Sequence, residues 1–163
     1  MAGISFEDYF LNEISYKKNQ KFSEAEGLIN ANLALNVGIN INKKEEKAVV
    51  NMIITVGDLQ DSNSGFETKI DIVGLFNFNQ AESDGKEFEE FMSANAVSIL
   101  YSYTRPYISD LIAKGNEFPR FLLPVLNINK FIEENNNSSI VIRYDENIDY
   151  IGWIKYFTSA RTV

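Results

Sequence analysis

The sequence predicts an α+β fold: a four-stranded antiparallel meander packed with a long kinked helix, then a crossover loop, a short second helix and an irregular or strand-containing tail. Three observations carry that prediction. Apolar residues alternate at period two through the first half, and they switch to three-and-four spacing beyond residue 84. They then crowd into a proline-punctuated segment, NEFPRFLLPVLNI, which suits neither a helix interior nor a central strand. At 163 residues the chain suits one domain, 1–163, with the sheet in 1–80, the helix in 84–115, the crossover in 116–127 and the short helix and tail in 128–163.

Tyr9 to Lys18 (YFLNEISYKK) alternates imperfectly and reads as a first strand, placed at an edge where two sheets could join. From Ile29 to Ile41 every odd position is apolar and most even ones are polar or small, the pattern of a half-buried antiparallel strand. Ala48, Val50, Met52, Ile54 and Val56 form a third in-phase run. Phe66, Ile70, Ile72, Phe76 and Phe78 form a fourth, opposite Glu67, Lys69, Asp71 and Asn77. The connectors NKKEEK and GDLQDSNSG are charged and turn-rich.

Asp84 with Glu87 predicts a helix N-terminal cap pair, with Glu87, Glu89 and Glu90 at the positive end of the helix dipole. The cluster formed with Glu82 could attract a basic partner, or could simply be a solvated helix start. Phe88, Phe91, Met92, Ala96, Ile99, Leu100 and Tyr103 form the stripe that lies on the sheet. Pro106 kinks or breaks the helix, and its continuation carries Tyr107, Ile108, Leu111 and Ile112 to a stop at Gly115. Ile128 to Glu134 can form only a short helix before the run Asn135 to Ser139. Ile140 to Tyr144 reads as a strand, and Ile148 to Phe157 fits strand and helix equally. Trp153 with Tyr150 and Tyr156 could form an aromatic binding cluster or a core anchor.

Composition narrows the function. Hydrophobic residues at 45% and aromatics at 13% exclude an intrinsically disordered chain, and a net charge of −8 argues against nucleic acid and anionic lipid as partners. Cysteine and histidine are both absent, which removes disulfides, thiolate chemistry, the commonest general base and the usual ligand of catalytic zinc. No nucleotide-binding or nucleophile-elbow fingerprint stands in a fitting context. A carboxylate-only site would rest on Asp58 with Asp61, or on Asp145 with Glu146 and Asp149, and both groups fall in predicted turns. The expectation is a non-enzymatic protein without cofactor or metal. Apolar runs fall short of the roughly 18 residues of a membrane span, and Glu7 and Asp8 stand where a signal peptide would be basic. A cytoplasmic location, without membrane insertion, is therefore expected.

From Ala94 to Ile128 the chain resembles the SecB family of export chaperones. ILYSYTRPYISDLIAKG is similar to that family's helix, with its "ILYPY" opening and "SDL" near its end. NEFPRFLLPVLNI is similar to its Gly-Phe-Pro, Leu-rich, Pro-Val-Asn crossover, while NEISYKKN and IDIVGLFNFN look like its first and fourth strands. The resemblance implies a dimer or dimer of dimers that holds non-native or disordered polypeptide in hydrophobic grooves. By that likeness the polypeptide-binding residues are Leu33, Leu35, Phe118, Phe121, Leu122, Leu126, Ile128 and Phe131, and for Leu33, Leu35 and Leu126 a plain core role stands beside it. Interface residues would be Tyr9 and Leu11 on the edge strand and the small residues Ala94, Ala96, Ser98 and Ser102, which read equally as solvent-facing helix formers.

Two departures accompany the likeness. The family docks the SecA motor on an acidic patch of the exposed sheet face; Glu13 keeps one carboxylate there, but Lys17 and Lys69 replace two others. A reversed charge repels where the family attracts, which argues against SecA docking. The family's long final helix is cut short by Asn135 to Ser139. The expected protein is thus a SecB-like holding chaperone, or a dedicated interaction protein on the same scaffold with a single partner such as an antitoxin, or a phage-encoded inhibitor of a host factor.

Overall fold

The computed structural model describes residues 3–23 and 31–146. Five strands, β1 (Ile4–Lys18), β2 (Leu33–Asn42), β3 (Lys47–Gly57), β4 (Phe66–Phe78) and β5 (Ser139–Tyr144), form one sheet in the order β1-β4-β3-β2-β5. Only β2, β3 and β4 make a meander. β1 pairs antiparallel with β4 rather than with β2, and β5 adds a parallel partner on the far side of β2. Ile29 and the stretch from Ile148 onward, with Trp153, Tyr150, Tyr156 and Asp149, lie outside the described residues.

The two faces of the sheet follow from register. Leu35, Val37, Ile39 and Ile41 stand beside Ile54, Met52, Val50 and Ala48, and these beside Ile70, Ile72, Gly74 and Phe76. All lie in the core. β1 begins earlier than its alternation suggests and carries two bulges, between Phe6 and Asp8 and between Leu11 and Glu13. Each bulge inserts one residue and resets the side-chain phase. Phe6, Tyr9, Leu11, Ile14 and Tyr16 therefore share the face of their partners Phe76, Gly74, Ile72, Ile70 and Thr68.

One helical run covers that face: α1 (Phe88–Phe91), a wider π turn (Met92–Ala96) and α2 (Val97–Lys114). Its start differs from the expected cap pair. Glu87 is the N-cap and makes no side-chain cap bond, while Asp84 sits in a left-handed turn at φ 53°. Glu89 and Glu90 do occupy the first turn. The π turn shifts the buried stripe, so Val97, Leu100, Tyr101, Thr104, Ile108 and Ile112 face the sheet while Tyr103 stays 40% exposed. The helix runs unbroken through Pro106. The proline removes the donor for the Ser102 carbonyl, but Ser102 and Pro106 are both exposed and water can serve that oxygen. The run ends at Lys114, and α3 (Ile128–Glu134) follows the crossover.

Candidate polypeptide-binding strap and interface flank

The crossover, residues 116–127, is a strap without regular structure, tied to α2 by side chains. Tyr101 Oη donates to the Pro124 carbonyl at 2.7 Å, Arg105 Nε to the Leu123 carbonyl at 3.0 Å and Arg120 Nε to Ser109 Oγ at 2.9 Å. Burial pushes the Tyr101 hydroxyl up to about 12, so the donor is protonated throughout the neutral range. Leu123 is the strap's apolar anchor at 1% exposure. At its entrance the Phe118 ring lies 5.5 Å from both Phe66 and Phe22, seated over Gly65, where a Cβ would stand 2.1 Å from that ring. At its exit Asn127 caps α3 by accepting from the Lys130 amide at 3.1 Å.

Stitching the strap's carbonyls inward leaves part of its apolar surface outside. Leu122 is 69% exposed and Val125 84%. Of the residues predicted to bind polypeptide, Leu33, Phe118, Phe121, Leu126 and Phe131 are half-buried against the core, and only Leu122 is exposed. Leu35 and Ile128 are sealed, at 0% and 2% exposure, and their place is in the core. Leu35 is held there by its strand phase and by its amide, which donates to Ser138 Oγ at 3.0 Å. Val125 is absent from the predicted set, although its place directly after Pro124, in the apolar run of the strap, is a signal in the PVL triplet.

The predicted interface residues divide similarly. Ala96 is fully buried in the core, because the π turn rotates it onto the sheet. Ala94 and Ser98 are half-buried and Ser102 is exposed. The two serine hydroxyls fold back onto helix carbonyls, Ser98 Oγ to Ala94 O at 2.6 Å and Ser102 Oγ to Ser98 O at 2.9 Å, leaving a smooth helix surface. Tyr9 and Ser102 meet in one apolar hollow of about 500 Å³ with Tyr103, Pro106 and Tyr107. Tyr9 and Tyr107 share a hydroxyl hydrogen bond of 2.7 Å, which together with burial raises the Tyr9 hydroxyl to about 12. Beyond it Leu11 and Ile14 lie on the helix side of the edge strand, 37% and 46% exposed.

On the opposite sheet face Glu13 does not stand as a lone carboxylate, since Lys69 Nζ lies 3.5 Å from it. The carboxylates of Asp58 and Asp61 accept from the Gln60 and Asn63 amides of their own turns, at 2.8 and 2.9 Å. Among the described residues no helix is long and apolar enough to cross a membrane.

Comparison with known proteins places this geometry. The model of the family described as "Preprotein translocase subunit SecB" matches residues 2–138. An uncharacterized protein of Methanocaldococcus jannaschii is 27% identical over 129 residues, covering 78% of this chain and 81% of that one. The protein-export protein SecB of Alcanivorax borkumensis is 24% identical over 93 residues, 57% of each chain. Among solved structures, a Mycobacterium tuberculosis SecB-like chaperone in complex with a ChAD peptide from the HigA1 antitoxin superposes with a TM-score of 0.58. It shares 17% identity, over 76% of this chain and 90% of that one, and the likeness is one of fold.

Proposed function

This chain belongs to the SecB family, and we propose that it acts as a holding chaperone that binds non-native or disordered polypeptide along the strap and works as a homo-oligomer. The observation that carries the reading is the exposure of Leu122 and Val125 on a segment whose backbone is fixed by Tyr101, Arg105 and Leu123. An unfolded chain presents scattered apolar side chains, and a preformed apolar ridge binds them without sequence-specific hydrogen bonds. Phe118, Phe121, Leu126, Phe131 and Leu33, each half-buried, supply the flanks of that surface. Leu35 and Ile128 support it from beneath. Several straps in one oligomer would add their weak contacts along a single client.

The apolar flank formed by Tyr9, Leu11, Ile14, Tyr103 and Tyr107 is where a second copy would pack, with β1 at the edge of the sheet among the described residues. Docking to SecA is not part of the reading, because Lys17 and the Lys69 to Glu13 pair leave the outward face of β1 and β4 without a uniform negative field.

The test is aggregation of several unrelated denatured proteins with and without stoichiometric chaperone. The intact protein is expected to slow all of them, and the exposed-site double variant Leu122→Asp/Val125→Asp to lose most of that effect while keeping its fold. Burying one such side chain contributes roughly 1.5–3 kcal/mol, so each should change client affinity about tenfold or more. If the intact protein slows none, the general reading fails and the narrower one stands. That second reading, an adaptor for one partner, is favoured by the solved antitoxin-peptide complex of the similar mycobacterial chaperone.

A further inference from the structure

Tyr101 and Arg105 stand one turn apart on α2, so both side chains reach the strap from the same helix face. Arg105 is half-buried, and its Nε donates to the carbonyl of the anchor Leu123 at 3.0 Å. The exposed Leu122 and Val125 flank that anchor in the chain. The bond uses one of the guanidinium's N–H groups and leaves the two terminal nitrogens free to donate. Among the described residues neither has a partner, and no carboxylate lies within ion-pair distance of Arg105. The acids nearest in sequence are already engaged: Asp110 lies 3.6 Å from Arg120 Nη2, and Glu117 2.6 Å from Lys18 Nζ. From Val97 to Asn127 the chain holds three cations against two carboxylates, inside a protein of net charge −8. A guanidinium without a counter-charge therefore sits between the two most exposed apolar side chains of the strap.

We propose that Arg105 makes the strap selective, taking client segments in which a single carboxylate stands beside apolar side chains. Given a strap that binds polypeptide as proposed above, the apolar ridge supplies affinity and the guanidinium supplies the choice among clients. Apolar contact at Leu122 and Val125 is non-directional and discriminates little between one hydrophobic segment and another. A planar guanidinium does discriminate, because its terminal N–H groups match the two oxygens of a carboxylate and repel an ammonium. Its position is fixed by the bond to Leu123, so little side-chain freedom is lost when a client carboxylate arrives. The net charge of −8 sets the limit on acidity. A client with many carboxylates is repelled as a whole, whereas at a separation well inside the Debye length of about 8 Å a single one is governed by the guanidinium.

Short disordered peptides that share one leucine- and valine-rich sequence, and differ only in a Glu, Gln or Lys beside the apolar residues, separate the two contributions. Fluorescence anisotropy with the intact protein should rank them Glu, Gln, Lys, with Glu about fivefold tighter than Gln at low salt and the difference shrinking as salt is added. The ratio should fall to about one in Arg105→Gln, whose amide can still donate to the Leu123 carbonyl, and survive in part in Arg105→Lys, which keeps the cation. Tyr101→Phe cuts the neighbouring tie without changing charge, so it should lower the Glu and Gln affinities together and leave their ratio intact. That control distinguishes selectivity from a merely structural role in holding the strap. Equal binding of the Glu and Gln peptides by the intact protein would overturn the selectivity while leaving the strap as the client site. A preference that persists in Arg105→Gln would overturn it as well, by assigning recognition to another cation. Binding of none of the peptides would remove the strap as a client site, and the selectivity with it.

Discussion

Tyr101 ties the strap to the helix from within the core. It is buried, its ring belongs to the core, and its hydroxyl reaches out to hold Pro124. Replacing it by phenylalanine keeps the ring and deletes the bond, so Tyr101→Phe should cost about 0.5–1.5 kcal/mol in urea unfolding and loosen client binding more than stability. Its folded value of about 12 lies above the usual value near 10. The contribution of the protonated hydroxyl is therefore complete below about pH 10 and lost as pH rises through the folded value. Tyrosinate absorbance should accordingly show late titration in the native protein, with Tyr9 behaving alike because of its bond to Tyr107. Gly115 gives a second residue-scale result. It stands at the helix stop that the sequence marks, yet its φ is −62° and Asn116 takes the left-handed turn at 58°. What requires glycine there is Tyr16, whose ring a Cβ would meet at 2.6 Å. Gly115→Ala should destabilise by about 1–3 kcal/mol through overpacking, and the loss should shrink when Tyr16 is replaced by serine.

Elements were legible in the sequence where one local rule governed them. β2, β3 and β4 keep a readable alternation because each has one face in the core, with Val49, Val73 and Leu75 as apolar exceptions on the other face, and their hairpin connectors are polar. β1 resisted because two bulges reset its phase, which is why Phe6, Tyr9, Leu11, Ile14 and Tyr16 look irregular in the sequence but share a face in the fold. The partner of β1 and the parallel pairing of β5 are choices made between distant segments, and no local pattern encodes them. The π turn displaced Tyr103 from the stripe for a similar reason, since one widened turn rotates everything that follows, whereas Ala96 stays in the stripe and is thereby unavailable as an interface residue. β5 is bound to the helix start through Glu89, whose carboxyl is held below its usual range, first by the Tyr144 hydroxyl and further by Lys43. A lowered folded value stabilises above the unfolded value near 4.3 and is lost as pH falls through the folded one. Tyr144→Phe should therefore lower stability measurably at pH 7 and progressively less as the solution is acidified through the folded value, with urea midpoints as the readout.

At the scale of the whole molecule, the proposed client surface and the proposed self-association surface occupy different parts of the fold, and that separation is itself testable. The strap surface at Leu122 and Val125 lies on the crossover, whereas Leu11 and Ile14 lie on β1, the edge strand among the described residues, beside the hollow at Tyr103 and Tyr107. The sequence located the strap by its prolines and apolar crowding, but it could not separate Leu35 and Ile128, which pack inward, from Val125, which does not. Inward or outward orientation on the irregular strap depends on which carbonyls Tyr101 and Arg105 capture, and those donors lie 23 and 18 residues earlier in the chain, beyond the reach of a local pattern. An exposed edge strand flanked by isoleucine and leucine is a template for pairing unless a charge blocks it. Ile14→Lys, with Leu11→Lys if one charge is insufficient, places an ammonium on that edge at a position already 46% exposed in the single chain. The folded monomer should tolerate it, and light scattering should show a smaller particle. Per-chain affinity for a short apolar peptide should stay within about threefold, while suppression of aggregation by long clients should fall further, because avidity needs several straps on one particle. An unchanged particle size would place the contact between copies elsewhere. A particle that dissociates with no loss against long clients would show that one strap suffices.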